Sequence, residues 1–282
     1  MRLNLREYWK LGLVACLVAV LYADIVRKLV TDWGELPGYS HGFLIAPLAL
    51  YIAWKQRHVV AQVPAAPDLR GLGLVFCACV VYLGGRLAAD FFFPRVSLVL
   101  LGAGLVWAFW GLGRLKRLAF PFLLLASVIP LPVILYNQLA APLQLLASRV
   151  ATDLAQLAGV SVLRDGNIIY LANTSLGVAE ACSGLHSLAS LTVAGLLLGY
   201  LECTRTVTRV VLFLAAVPTA IFFNVMRVTI TALLSEHNPE MASGFYHSVS
   251  GWLIFLAGFA TLMLCGKLLR YWLEPGAGKG NA

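Results

Sequence analysis

Residues 210–235 read VVLFLAAVPTAIFFNVMRVTITALLS, and this stretch decides the class of fold. Most of its side chains are apolar, and Arg227 carries its one charge. A helix that crosses a membrane needs about 20 consecutive, mostly apolar residues, so the stretch predicts a transmembrane helix. An arginine inside such a helix is expensive to insert, and it usually has a function or a bonding partner.

The rest of the chain has the same character. Of its 282 residues, 60% are hydrophobic and 12% are charged, whereas soluble domains have about 45–50% apolar and about 25% charged residues. This composition excludes a disordered chain, a nucleic-acid-binding arm and an ordinary soluble enzyme. We expect one all-α polytopic membrane domain, residues 1–282. It has about eight spans, near residues 9–30, 41–54, 71–89, 96–112, 118–136, 182–200, 210–235 and 247–269.

Connections rich in basic residues alternate along the chain with connections that have few. With eight spans and a cytoplasmic N-terminus, 14 of the 21 lysines and arginines fall on the cytoplasmic side and six outside, with Arg227 inside a span. The positive-inside rule therefore predicts that both termini are cytoplasmic. The N-terminus has basic residues, then a long apolar run without a small-x-small cleavage signal, which predicts an uncleaved signal anchor. The net charge of +8 accordingly indicates a lipid bilayer as partner and no nucleic acid.

The connection between spans five and six, residues 137–181, is long and lies outside in this topology. Apolar residues recur there at near-helical spacing, which predicts a periplasmic amphipathic helix on the outer interface. They are Leu139, Pro142, Leu145, Leu146, Val150 and Leu154. Arg164-Asp165-Gly166-Asn167 is a hairpin-type turn signal. The flanking residues 160–163 and 168–171 are candidates for the strands of a short β-hairpin.

Cys182 lies in Glu180-Ala181-Cys182-Ser183-Gly184, where span six enters the membrane from outside. A helix N-terminus carries partial positive charge and unpaired N–H donors, and both favour the thiolate form of cysteine. An ionised Glu180 opposes this effect. Cys182 is therefore a candidate nucleophile, and the alternative is a small residue packed near Gly184. The other five cysteines lie in or beside apolar runs and are expected to pack as small hydrophobes.

Arg227 lies eight residues before the expected outer end of its span, about 12 Å inward at 1.5 Å per residue. Asn224 precedes it by three residues and so shares its helix face, where we expect the two side chains to bond. His247 is eight residues into a helix that Asn238 and Pro239 begin, and it should lie at a similar depth. The alternatives are a structural arginine bonded to backbone carbonyls and an interfacial histidine.

Two further histidines are weaker candidates for the functional site. His186 follows Cys182 by four residues, but the pair supplies only two of the about four ligands of a zinc site. His41, in Tyr39-Ser40-His41-Gly42, is a reserve acid or base on the outer side. No metal and no cofactor are expected. Cysteine, histidine and arginine on one membrane face suit acyl transfer, in which a thiolate attacks a carbonyl, histidine moves the proton and arginine steadies the oxyanion.

At these residues the sequence resembles the exosortases, bacterial polytopic enzymes related to archaeosortases. The resemblance covers about residues 33–270, and the order and spacing of its motifs are specific. The motifs are Tyr39-Ser40-His41-Gly42-Phe43-Leu44, Ile129-Pro130-Leu131-Pro132, Pro142-Leu143-Gln144-Leu145-Leu146-Ala147-Ser148, Arg164-Asp165-Gly166-Asn167, Glu180-Ala181-Cys182-Ser183-Gly184, Asn224-x-x-Arg227, Phe245-Tyr246-His247 and Ser250-Gly251-Trp252.

The resemblance implies a membrane cysteine protease or transpeptidase of the bacterial inner membrane with its active site at the periplasmic face. It would cleave a C-terminal sorting signal of secreted proteins, made of a Pro-Glu-Pro motif, a transmembrane helix and a basic tail. Transfer to an envelope or exopolysaccharide acceptor would follow through a Cys182 thioester. By motif match Cys182, Arg227 and His247 form the catalytic set. Asn224, Glu180, Ser183, Gly184, His186 and His41 support it.

Two other functions remain open from the sequence. A non-catalytic transporter or polysaccharide-export component would use Arg227 and His247 to line a substrate path. A thiol-redox membrane enzyme would need a partner cysteine on the outer face, and the expected topology provides none.

Overall fold

The structure is a computed structural model that describes residues 5–36, 38–172, 174–178, 185–238 and 244–274. Some helical positions within these ranges, including 186 and 247, are described by their backbone only. The contacts divide the chain into two compact units, Met1–Pro132 and Val133–Ala282. The single domain expected from the sequence stays a prediction.

All the regular secondary structure in the described part of the first unit is helical. Its helices are α1 (Leu5–Glu35), α2 (Gly42–Lys55), α3 (Arg57–Gln62), α4 (Arg70–Leu87), α5 (Phe92–Trp110) and α6 (Leu112–Ser127). Helices α4 and α5 approach closely because small residues face each other: a Cβ on Gly71 would lie 2.3 Å from the backbone nitrogen of Ala108. Gly111 ends α5 in the left-handed region at φ 89°, which a glycine adopts without strain.

The second unit begins with α7 (Val133–Leu157), followed by the strands β1 (Leu163–Asp165), β2 (Ile168–Tyr170) and β3 (Ser175–Gly177). The strands form an antiparallel sheet in the order β1-β2-β3, and the chain turns between β1 and β2 at Gly166 and Asn167. The third strand was not anticipated from the sequence.

The leucines of α7 do not form its buried face. Leu139, Leu145 and Leu146 remain 44–46% exposed, and the buried face is formed by small residues instead. These are Ala140, Ala147, Ser148, Ala151, Thr152 and Ala155. Small residues let helix backbones approach closely, as they do in membrane helix pairs. The placement of α7 on an outer interface stays a prediction.

Three long helices complete the second unit: α8 (Leu185–Glu202), α9 (Thr206–His237) and α10 (Gly244–Leu273). Their shared core is apolar and includes Leu191 of α8, Leu212 and Ala216 of α9 and Leu262 of α10, with Cys203 from the α8–α9 connection. The predicted start of this last span near residue 239 lies outside the described residues.

The end of α10 is tied to the start of α9 by the carboxylate of Glu274. It accepts hydrogen bonds from the backbone N–H of Thr204 at 3.1 Å, the Thr204 hydroxyl at 2.8 Å and the N–H of Arg205 at 2.8 Å. In return, Nη1 of Arg205 donates to the carbonyl of Leu273 at 2.8 Å. We call this set of contacts the Glu274 clamp. It fixes the position of α10 along α9.

In the described part of the chain, four helical segments are long and apolar enough to cross a membrane. They are Arg70–Leu87, Phe92–Trp110, Thr206–Glu236 and Val249–Leu273. Gly42–Lys55 and Ser187–Glu202 are apolar but shorter. Large apolar side chains also point outward, among them Val20 at 73%, Phe76 at 71% and Trp252 at 69% exposed. This outward apolar surface suits lipid. The protein is multi-pass, and the full set of eight spans stays a prediction.

Candidate functional site

The segment that carries the predicted nucleophile lies outside the described residues. Glu180, Cys182, Ser183 and Gly184 fall in the gap between Val178 and Leu185, and the side chain of His186 is not described either. What the structure describes is the chain on both sides of this gap. It enters from β3 and leaves into α8.

The chain enters the gap from a buried position next to α9. Val178 is 0% exposed and belongs to a core cluster with Val228 and Ala232 of α9 and Ala151 of α7. Val228 follows Arg227 directly. The sheet is held to α7 as well, since the hydroxyl of Ser148 donates to the carbonyl of Gly166 at 2.9 Å. The sheet therefore anchors the chain that leads to Cys182 beside the α9 segment that carries Arg227.

Arg227 lies within α9, ten residues before the helix ends at His237. At 1.5 Å per residue this is about 15 Å from that end. The side chain is partly buried, and its guanidinium rests against Gly251 of α10. A Cβ built on Gly251 would lie 2.9 Å from Nη2, 3.1 Å from Cζ and 3.5 Å from Nε of Arg227. The guanidinium therefore occupies the space that a side chain at position 251 would fill.

Glycines along one face of α10 define how it packs on α9. Gly251 contacts Arg227, Gly258 faces Phe223, and Gly266 faces Leu212. The partners run backwards along α9 as α10 runs forwards, so the two helices are antiparallel. Position 247 precedes Gly251 by four residues, which places its backbone on the same helix face one turn away, a rise of about 6 Å. Positions 227 and 247 thus belong to neighbouring turns of two packed helices.

Asn224 does not make the hydrogen bond that we expected. It is 5% exposed, and its Oδ1 is buried without a hydrogen-bond partner among the described residues. The residue lines a small void with Leu143 and Ala147 of α7, whereas Arg227 contacts α10. Three positions in a helix differ by about 60° in direction. This difference is enough to turn Asn224 toward α7 and Arg227 toward α10.

His41 belongs to the first unit and directly precedes α2. Its ring stacks on Tyr39 with the ring centroids 6.1 Å apart, and both ring nitrogens are shielded from solvent. The hydroxyl of Tyr39 in turn accepts a hydrogen bond from the N–H of Leu131 at 3.2 Å. His41 is thus held within the first unit, and its role as a reserve acid or base stays a prediction.

Sequence reasoning missed a buried ion pair in the first unit. Nη2 of Arg95 lies 2.5 Å from Oδ2 of Asp32, and Lys28 lies 2.8 Å from the other oxygen of Asp32. Arg95 is 4% and Asp32 7% exposed. The spacing of Lys28 and Asp32, four residues apart on α1, was the available signal. Close to Arg95, Asp90 caps α5 by accepting a hydrogen bond from the N–H of Phe92 at 2.7 Å.

The described metal-ligating side chains are scattered, and the described cysteines are unpaired. It has no group of three or more histidine, cysteine or acidic side chains that is placed to hold a metal ion. The five described cysteines are free thiols. Cys16, Cys77 and Cys79 are exposed, Cys265 is partly buried and Cys203 is buried.

Comparison with known proteins identifies the family. A family model described as transmembrane exosortase matches residues 33–264. The probable archaeosortase E of Methanocaldococcus jannaschii is 29% identical over 98 residues, which are 35% of this chain and 50% of that protein. The chain therefore spans about half the length of this curated relative. No solved structure matches the chain.

Proposed function

The chain belongs to the transmembrane exosortase family, and from this premise we propose that it is a membrane cysteine transpeptidase. Cys182 is its nucleophile, His247 its proton carrier and Arg227 the cation that stabilises negative charge. The proposed substrates are secreted proteins with a C-terminal sorting signal made of a Pro-Glu-Pro motif, a transmembrane helix and a basic tail.

One observation carries the proposal: the contact of Arg227 with the face of α10 that also bears position 247. It supports a common site for two residues that are 20 positions apart in sequence. The buried Val178 beside Val228 adds support for Cys182. Cys182 follows Val178 by four positions, a distance of at most about 14 Å even in a fully extended chain.

The proposed chemistry proceeds in two acyl transfers. The thiolate of Cys182 attacks the carbonyl carbon of the scissile peptide bond, and the carbonyl oxygen becomes an oxyanion that the guanidinium of Arg227 stabilises. The C–N bond breaks as His247 gives a proton to the leaving amine, which leaves a thioester on Cys182. An acceptor nucleophile then attacks the thioester while His247 takes its proton, and the C–S bond breaks to release the acyl product and regenerate the thiolate beside a protonated His247. Water in place of the acceptor gives hydrolysis.

The location of the site follows from the expected topology. With both termini cytoplasmic, the C-terminal end of α9 and the start of α10 lie on the outer side. We therefore propose an active site at the periplasmic face of the bacterial inner membrane. The acceptor is an envelope or exopolysaccharide nucleophile.

The test is co-expression of the protein with a secreted reporter that ends in the three-part sorting tail. Mass spectrometry of the reporter's new C-terminus identifies the bond that is cut and anything that is attached. We expect Cys182→Ser to abolish processing, whereas Cys16→Ser, which removes an exposed thiol from α1, should leave it unchanged. Wild-type processing by Cys182→Ser would reject the cysteine mechanism and favour the transporter or export component.

A further inference from the structure

Gly251 has a specific relation to the guanidinium of Arg227. The position that a Cβ would occupy on Gly251 is 2.9 Å from Nη2 and 3.1 Å from Cζ of that group. Carbon atoms in ordinary contact lie about 3.5–4.0 Å apart. Any side chain larger than that of glycine would therefore displace the guanidinium or push α10 away from α9.

Glycine is a poor residue for the interior of a helix, because alanine and most other residues stabilise the helix more. Gly251 nevertheless lies seven residues into α10, well beyond its first turn. Its backbone is helical, so no special backbone conformation requires glycine there. The structure gives another reason for a glycine at this position: the guanidinium of Arg227 occupies the space that a larger side chain would need.

We infer that Gly251 is a positioning residue that sets where the guanidinium of Arg227 lies in the reaction. The inference rests on the proposed function for what the guanidinium does there. Gly251 touches Arg227 and no reacting atom in this scheme, so it acts through the arginine. The Glu274 clamp supports the arrangement from the other end of α10, because it fixes the register that brings Gly251 to Arg227.

Gly251→Ala tests the inference with the smallest steric change. The added methyl group would force the guanidinium to move by several tenths of an ångström, and a misplacement of about 1 Å can cost on the order of 10²-fold in rate. We expect the rate constant for processing to fall by on the order of tenfold. Because the oxyanion forms only in the transition state, kcat should fall more than KM changes. Alanine favours the helix, so the variant should fold.

Gly258→Ala is the matched control on the same face of the same helix. Its Cβ would lie 3.1 Å from Cδ1 of Leu191 and 3.4 Å from Cδ2 of Phe223. The substitution therefore crowds apolar side chains and leaves Arg227 alone. We expect processing within about twofold of wild type, since a small adjustment of flexible apolar groups costs little. An equal loss of activity in both alanine variants would overturn the inference.

A double-mutant cycle shows whether Gly251 acts through Arg227. In an Arg227→Lys background, Gly251→Ala should lower the residual rate less than about twofold, because residues in contact have non-additive effects. A full tenfold additional loss in that background would refute the inference, since it would show that the methyl group acts elsewhere.

Thermal unfolding in detergent separates this inference from the proposed function. With Arg227→Ala there is no guanidinium to displace, so Gly251→Ala should raise the Tm more than it does in the wild-type background. Equal Tm shifts in both backgrounds would overturn the contact itself. A further outcome is that the two Tm shifts differ while Cys182→Ser still processes the reporter. That result would reject the cysteine mechanism but support the contact between Gly251 and Arg227.

Discussion

Replacing Glu274 with glutamine should loosen the junction between α9 and α10. Burial by itself would raise the pKa of this carboxyl group, but the hydrogen bonds from the N–H of Arg205 and from the hydroxyl and N–H of Thr204 outweigh it and lower the pKa to about 2 from 4.5. Ionised Glu274 accepts all of these bonds. A glutamine presents an NH₂ group to some of the same donors, so part of the clamp is lost.

The magnitude follows from the shift in pKa. One unit corresponds to about 1.36 kcal/mol, so the shift sets a ceiling of about 3 kcal/mol on what ionisation of Glu274 adds to folding. The clamp lies where the helices end, and solvent screening there reduces the value to about 1–2 kcal/mol. In a chain of this size each kcal/mol moves the Tm by about 2–4 °C. We expect Glu274→Gln to lower the Tm at pH 7 by about 3–6 °C.

The dependence on pH has a definite sign. Because the folded state lowers the pKa of Glu274, its contribution is complete above the unfolded value of 4.5 and is lost as the pH falls toward about 2. The difference in Tm between wild type and Glu274→Gln should therefore be constant from about pH 7 to pH 5.5 and shrink below about pH 4.5.

Tryptophan fluorescence of the detergent-solubilised protein during heating measures the Tm across this pH range. Glu202→Gln is the control, because Glu202 is 47% exposed and only 3.7 Å from Arg270. An exposed pair of this kind contributes little, so its Tm should change by less than about 2 °C. A Glu274→Gln variant as stable as this control at pH 7 would refute the clamp, as would a Tm difference that grows on acidification.

Three further predictions concern the site and the first unit. Arg227→Lys keeps the charge but loses the planar set of donors, so it should lower the processing rate on the order of 10²–10³-fold at matched protein levels; activity within about threefold of wild type would leave Arg227 as a structural charge. Cys182 should react with a membrane-impermeant maleimide added from outside faster than Cys16, because the helix N-terminus that the sequence predicts there favours the thiolate; labelling from the cytoplasmic side alone would overturn the topology. Asp32→Asn should destabilise the protein by about 3–5 kcal/mol, because it leaves the buried charge of Arg95 unbalanced; adding Arg95→Leu should restore part of the Tm, and purely additive losses would show that the pair is not coupled.

Hydropathy and charge along the chain were enough to predict a multi-pass helical membrane protein. Each apolar run predicts its own helix, because a helix in lipid satisfies its backbone hydrogen bonds within one segment. The long apolar runs at 71–89, 96–112, 210–235 and 247–269 correspond to helices that are long and apolar enough to span. Motif order also led to the exosortase family, which the comparison with known proteins confirms.

The side-chain contacts around Arg227 needed the tertiary structure. Arg227 could be singled out from the sequence because a charge within an apolar helix is unusual. Its contact with Gly251 could not be predicted. A glycine has no functional group to mark it, and the sequence of one helix does not specify how that helix is aligned with its neighbour. Asn224 shows the same limit. Its spacing from Arg227 predicts a shared helix face, but in the packed structure Asn224 faces α7 whereas Arg227 faces α10.

The ion pair of Asp32 with Arg95 and the clamp of Glu274 on Thr204 join residues 63 and 70 positions apart. Helical periodicity relates only positions three or four apart. The sequence by itself therefore determined the helices and the charged residues that they carry, but not these long-range pairs. Which of those residues meet depends on where small side chains let two backbones approach. That is a property of the packed helices, and only the tertiary structure decided it.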